Sequence, residues 1–222
     1  MGSDLRLQIS EKESVLRGKR SANFNYHTFL IFETVNWTQL IQDPEVQKLL
    51  KVHAKADVAQ LALKWSSKKD FPGKFLLSQL QCRQKAQSKL PTWAENDLVI
   101  YPDSTALEQC SSEKAADYKA EWGRGQRMAD LTGGLGVDSN AFSKAATSMV
   151  YVEPDPSRFE LAVHNLNTLG SANITFLNKT AEEAISEFAE NTIDLIYIDP
   201  SRRDAQQNVF LSWPIYNPMC CG

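Results

Sequence analysis

The sequence predicts an α/β fold, a parallel sheet with helices between its strands, preceded by a small helical region. Three observations predict it. From Asp97 onward short apolar runs alternate with helical stretches, the pattern of right-handed βαβ units. The run Arg127-Met-Ala-Asp-Leu-Thr-Gly-Gly-Leu-Gly-Val-Asp138 reads as a buried strand, a glycine turn and the start of a helix. Residues 37–93 instead carry apolar side chains at helical spacing.

The 222 residues suffice for one large domain, or one domain plus a smaller one. A hydrophobic fraction of 42% fits a globular chain, and no apolar run reaches the length of a membrane span. The N-terminus has no apolar core or cleavage pattern of a secretion signal, so a cytoplasmic location is expected. The four cysteines, Cys82, Cys110, Cys220 and Cys221, lack C-x-x-C spacing. With three histidines they make no zinc set, and reduced thiols are expected. The net charge of −3 is unevenly placed: residues 1–97 hold 15 Lys and Arg against 10 Asp and Glu, and the remainder 9 against 17. A mildly basic front half could hold a polyanion near an acidic half; solvated helix faces explain the asymmetry equally well.

Residues 1–36 show no clear period. They are unassigned and expected to be partly disordered. A helical N-terminal domain is expected over 37–93. Asp43-Pro44 supplies an N-cap and a proline at the first helical position. Val46, Leu49, Leu50 and His53 follow at helical spacing, and Val58, Leu61, Ala62 and Trp65 repeat it. A third helix carries Leu76, Leu77 and Leu80, then Arg83, Lys85 and Lys89, and Leu90-Pro91 ends it. Those three cations could contact phosphates or simply form a soluble face.

Residues 94–222 form the second expected domain. Leu98–Tyr101 reads as a short strand. Thr105 and Glu108 have capping-box spacing, and 106–122 should be mostly helical. Strand one is 128–131, with Phe142 and Ala145 on the buried side of the next helix. Strand two is 149–152. Asp155-Pro156 caps a helix with the stripe Phe159, Ala162, Val163 and Leu166, and Gly170 lies just past its end. Strand three is 174–177. Thr180 and Glu183 form a capping box, and Ile185 and Phe188 should face inward. Strand four is 193–198.

In a parallel sheet all strand C-termini share one edge. That edge collects Asp130, the glycine turn, Glu153, Asn178 and Asp199. Gly133, Gly134 and Gly136 allow positive φ and close approach of a ligand, and the amides opening the helix at Val137 can face it. The stretch 134–139 resembles a dinucleotide fingerprint with Ser139 in the last glycine slot. A carboxylate at Asp130 would repel a pyrophosphate but could hold the ammonium of S-adenosylmethionine, so the spacing favours the methyl donor. The bland reading is a tight strand–helix turn capped by an Asp. Glu153 lies 17 residues after Gly136, near where an acid reaches ribose hydroxyls. Asp199-Pro200 would set a carboxylate and a rigid turn beside the sulfonium. Arg202 and Arg203 could bind substrate phosphates, or form a surface pair balanced by Asp204.

The motifs Leu90-Pro-Thr-Trp93, Tyr101-Pro, Glu108-Gln-Cys-Ser-Ser-Glu113, Tyr118-Lys119, Ala129 to Asp138, Tyr151-Val-Glu153 and Ile198-Asp-Pro-Ser-Arg-Arg-Asp204 together resemble one family. It is the class I S-adenosylmethionine-dependent methyltransferases that carry a THUMP-like domain. More distantly, the chain resembles trimethylguanosine synthase and the RNA guanine-N2 methylases. The resemblance covers roughly residues 38–204 and implies a Rossmann-like sheet. It implies that Asp130, Thr132, Gly133, Gly134 and Gly136 hold the methionine part of the cofactor and Glu153 the ribose, with Asn178 also on the cofactor side. Gln109–Glu113 would close over the cofactor, and Asp199, Pro200 and Arg202 would be the catalytic set, with RNA as substrate. Three departures stand out. Asn178-Lys-Thr180 lacks the acid that many relatives place near the adenine. Asp-Pro-Ser-Arg has no aromatic to stack on a flipped base. Only four of the usual seven strands can be found, and Ala205–Gly222 matches nothing in the family pattern. The expectation is a methyltransferase sheet incomplete in its C-terminal half, from a truncated or frame-shifted gene, with strand four as a bare edge. The rival classes are a non-catalytic cofactor-binding remnant and an NAD(P)-dependent oxidoreductase on the same turn.

Overall fold

The computed structural model describes residues 36–66 and 71–199. Five helices come first: Trp37–Gln42 (α1), Pro44–Val52 (α2), Val58–Trp65 (α3), Gly73–Lys89 (α4) and Pro91–Glu95 (α5). Their starts follow from local chemistry. The Asn36, Asp43 and Asp57 side chains accept from the first free amides of α1, α2 and α3, and Pro44 and Pro91 sit where a helix needs no N–H. Phe75, Leu76 and Leu80 of α4 pack with Leu40, Ile41, Leu50 and Trp65. Cys82 and Ala86, farther along α4, and Leu90 just past its end pack with Met128 of the sheet and with Val137 and Phe142. One helix thus contributes to both cores.

Next come Ser104–Gln109 (α6), Glu113–Ala120 (α7) and a 3-10 turn over Glu121–Gly123. The single helix expected over 106–122 is therefore divided. Asp103, rather than Thr105, caps α6 by accepting from the Ala106 amide, and Ser112 caps a new helix. The strand expected at 98–101 does not form. Leu98 lies in a turn, and the backbone of Ile100 and Tyr101 is paired by side chains. Gln79 accepts from Tyr101 N (3.0 Å) and donates to Tyr101 O (2.7 Å), while Asn165 brackets Ile100 in the same way (2.9 and 2.7 Å). Two buried amides stand in for a neighbouring strand.

The α/β part comprises Arg127–Asp130 (β1), Val137–Ala145 (α8), Ser148–Val152 (β2), Pro156–Thr168 (α9), Ile174–Leu177 (β3), Ala181–Glu187 (α10) and Leu195–Tyr197 (β4). The four strands are parallel in the order β3-β2-β1-β4. In register, Asp130 stands opposite Tyr151 on one side and Tyr197 on the other, and Val152 stands opposite Leu177. The strand tips therefore lie side by side. Asp155 caps α9, Thr180 and Glu183 close a reciprocal capping box on α10, and Gly170 turns the chain after α9 with φ +81°. One helix face differs from expectation: α10 buries Ala184, whereas Ile185 is exposed. Ala181 and Phe188 pack with Ala184 against Ala129, Leu131 and Val152. No described helix is long and apolar enough to cross a membrane.

Candidate functional site at the carboxyl edge of the sheet

β1 ends in Asp130, which is 1% exposed. Its Oδ1 accepts from the Thr132 amide (3.0 Å) and its Oδ2 from the Ser139 hydroxyl (2.6 Å), while the Thr132 hydroxyl lies 3.4 Å from Oδ1. Burial pushes this carboxyl up to about 6, and the hydrogen bonds from Ser139 and Thr132 oppose the shift. A nearby cation would restore its ionised form.

The glycine turn follows. Gly134 and Gly136 have φ of +53° and +88°. Gly133 serves differently: a Cβ there would lie 2.2 Å from Cε2 of Tyr151, whose ring fills the space under the turn. The Tyr151 hydroxyl donates to Gly134 O (2.7 Å). An added Cβ at Gly134 would meet nothing nearer than Thr132 O at 3.8 Å, so its outer side is open.

β2 leads to Glu153, 6% exposed. Its Oε2 accepts from the Gly134 amide and its Oε1 from the Asp155 amide, both at 3.0 Å. The acid after β2 is thus bonded directly to the turn after β1, and each carboxylate oxygen keeps further acceptor capacity. Asn178, after β3, donates to Glu153 O (2.7 Å) and Pro154 O (3.2 Å), which fixes the β2 loop. Asp199, after β4, is exposed, and its amide donates to the Thr132 hydroxyl (2.8 Å). The edge therefore brings together Asp130, Thr132, Gly133, Gly134, Gly136, Glu153, Asn178 and Asp199. Pro200, Arg202 and Arg203 lie outside the described residues, as do the expectations for residues 1–35 and for the tail after Asp204.

Sequence reasoning named Ser139, Tyr151 and Lys119 within motifs but gave none of them a role at the site. Ser139 reaches Asp130 from the first turn of α8, and Tyr151 holds the turn from below. Lys119 of α7 donates to the hydroxyls of Ser111 and Tyr197, both at 2.8 Å, and lies 2.6 Å from Asp138 Oδ1. The segment expected to close over a cofactor is thereby occupied on the protein side. Ser111 donates to Asp138 (2.9 Å), and Glu113 accepts from the opening amides of α5, Thr92 and Trp93. The three cations suggested for phosphate contact are also engaged. Arg83 donates to the carbonyls of Asp97 and Val99, while Lys85 and Lys89 bond to Glu108. A shallow cleft of about 270 Å³ lies at the opposite end of the sheet, beside Ser143, Lys144 and Ser171, away from these acids. Among the described residues no three His, Cys, Asp or Glu side chains are grouped to hold a metal ion.

Residues 113–212 match the protein family described as Conserved hypothetical protein 95. Among solved structures, the chain is similar to a protein from Porphyromonas gingivalis W83 described as a putative methyltransferase. The likeness has 27% identity and a TM-score of 0.60, covering 72% of this chain and 40% of that one. The fold is a Rossmann-like methyltransferase fold. This chain thus spans less than half the length of that relative. It also matches a conserved hypothetical protein from Streptococcus pyogenes (28% identity, TM-score 0.31, 35% of this chain and 49% of that one). A third match is a protein from Pyrococcus horikoshii described as a putative RNA methyltransferase (20% identity, TM-score 0.33, 68% and 61%). These two superpose too poorly to bear on the fold. No curated protein matches.

Proposed function

We propose that this chain carries the S-adenosylmethionine site of a methyltransferase. The observation that carries the reading is the bond from Gly134 N to Glu153 Oε2, at the tips of two strands, beside the buried carboxylate of Asp130. A methyl donor needs an anion for its ammonium, acceptors for its ribose hydroxyls, and backbone with no side chain in the way. Asp130 would face the ammonium, directly or through water, Glu153 the ribose, and the open side of Gly134 the chain between them. Thr132 holds Asp130 and the Asp199 amide together, and Asn178 keeps the Glu153 loop in place. These residues fit the group. When bound, S-adenosylmethionine supplies an electrophilic methyl carbon for in-line displacement. The exposed carboxylate of Asp199 lies where an attacking atom could be oriented, with Pro200 and Arg202 continuing the same motif. The similarity to the Porphyromonas gingivalis protein supports the reading. RNA is the substrate class that the family resemblance implies, and its phosphates would need cations other than Arg83, Lys85 and Lys89.

Calorimetry tests this with S-adenosylmethionine, its demethylated product and NAD. The first two should bind and NAD should not. Affinity for the donor should rise as pH passes 6, as Asp130 ionises, and Asp130→Asn should weaken binding at least tenfold and flatten that dependence. NAD binding without donor binding would instead establish the dinucleotide reading.

A further inference from the structure

The ammonium of Lys119 has three oxygens within 2.8 Å, from Ser111 between α6 and α7, Tyr197 of β4 and Asp138 of α8. An ammonium can only donate. Having accepted from Lys119, the Tyr197 oxygen must direct its single proton elsewhere, and it donates to Asp199 Oδ2 at 3.3 Å. Ser111, likewise an acceptor from Lys119, donates onward to Asp138 Oδ2 at 2.9 Å. The Tyr197 ring is held edge-on by Phe142, with centroids 4.9 Å apart, and Lys119 also lies 5.0 Å from the ring centroid. From Asp199 the path continues through its amide to the Thr132 hydroxyl, and from there toward Asp130. Lys119 therefore sets the direction of the hydrogen bonds from Tyr197 and Ser111, up to the Asp199 carboxylate at the tip of β4, and the Asp199 amide makes its own bond toward the tip of β1.

We infer that Lys119 is a positioning residue of the site. Through Tyr197 it fixes the Asp199 carboxylate at the end of β4, and through Ser111 and Asp138 it ties the segment before α7 to the helix after the glycine turn. The inference deepens the methyl-donor reading and rests on it for the purpose of the site, but its geometry is testable alone. The bond from Tyr197 takes Oδ2 of Asp199 and holds the carboxylate from the side of β4.

Amide spectra of the ¹⁵N-labelled full chain test it, using Lys119→Met, Tyr197→Phe and the double variant. Lys119→Met should shift the amide signals of Ser111, Asp138, Thr132 and Asp199. Tyr197→Phe should shift those of Asp199 and Thr132 and leave that of Ser111 in place. In the double variant the Asp199 signal should stand where Tyr197→Phe alone puts it, because the link is already cut. An Asp199 signal that ignores Tyr197→Phe, or additive shifts in the double variant, would overturn the inference. Should Lys119→Met lose the dispersed spectrum of a folded chain, Tyr197→Phe alone decides, since it leaves the Lys119–Asp138 pair intact. S-adenosylmethionine is then titrated into the unmodified chain. Coupled shifts without donor binding leave the positioning role standing and remove the cofactor reading.

Discussion

Asp130 is a carboxylate that folding takes wholly out of water while giving it only hydroxyl and amide donors. The consequence is a sign that can be worked out. In the unfolded chain it ionises near the ordinary value of about 3.9. In the folded chain burial raises it to about 6. Between those values the folded state holds a proton that the unfolded state has released. The stability linked to this group is therefore full below about pH 4 and is lost as pH rises through 6, on the order of 3 kcal/mol in all. Asp130→Asn keeps the shape and removes the titration. Urea denaturation across pH 4 to 7 should show the variant gaining on the unmodified chain as pH rises; parallel stability curves would contradict the assigned burial. A cationic ligand would relieve the same cost, so a site that binds one is better built around a strained acid than a relaxed one.

At the scale of elements, Ile100 and Tyr101, where a strand was expected, are held by Gln79 of α4 and Asn165 of α9. Each amide satisfies one buried N–H and one buried C=O, as a strand neighbour would. Replacing either by Ala leaves two backbone groups without partners at roughly 1–3 kcal/mol each. Gln79→Ala and Asn165→Ala should each lower unfolding stability by about 2–6 kcal/mol, read from denaturant midpoints at constant slope. Losses below about 0.5 kcal/mol in both would mean that water replaces the amides without difficulty. The same elements bear on function. The segment leads into α6 and α7, and α7 carries Lys119 to the strand tips. Exposed pairs such as Arg127–Asp194 at the other end of the sheet are open to solvent and should matter little.

For the whole molecule the question is whether the helices and the sheet unfold together. Cys82 on α4 is fully buried among Met128, Val137 and Phe142, and burial pushes its thiol up to about 11. Both facts make it inert in the native state. In a chain whose other three cysteines are Ser, Cys82 should react with a thiol reagent only at the rate of global unfolding, in step with loss of the sheet's circular dichroism signal. Rapid labelling with the sheet intact would show that α4 opens separately.

The sequence by itself determined what neighbours a few residues apart can decide. The caps at Asp43 and Asp155 and the Thr180–Glu183 box follow from local backbone chemistry, and the glycine turn, the acid that ends β1 and the acid after β2 stand at the expected places along the chain. Tertiary structure alone decided the rest. The partners of Tyr101 and Ile100 come from 22 and 65 residues away, and Tyr197 lies 78 residues beyond Lys119. Ile185 is exposed, while Ala181, Ala184 and Phe188 take the face toward the core. Hydrogen-bond partners so distant leave no period in the chain. They exist only once the β3-β2-β1-β4 order brings the strand tips together, because a buried polar group takes whatever partner the packing puts within reach.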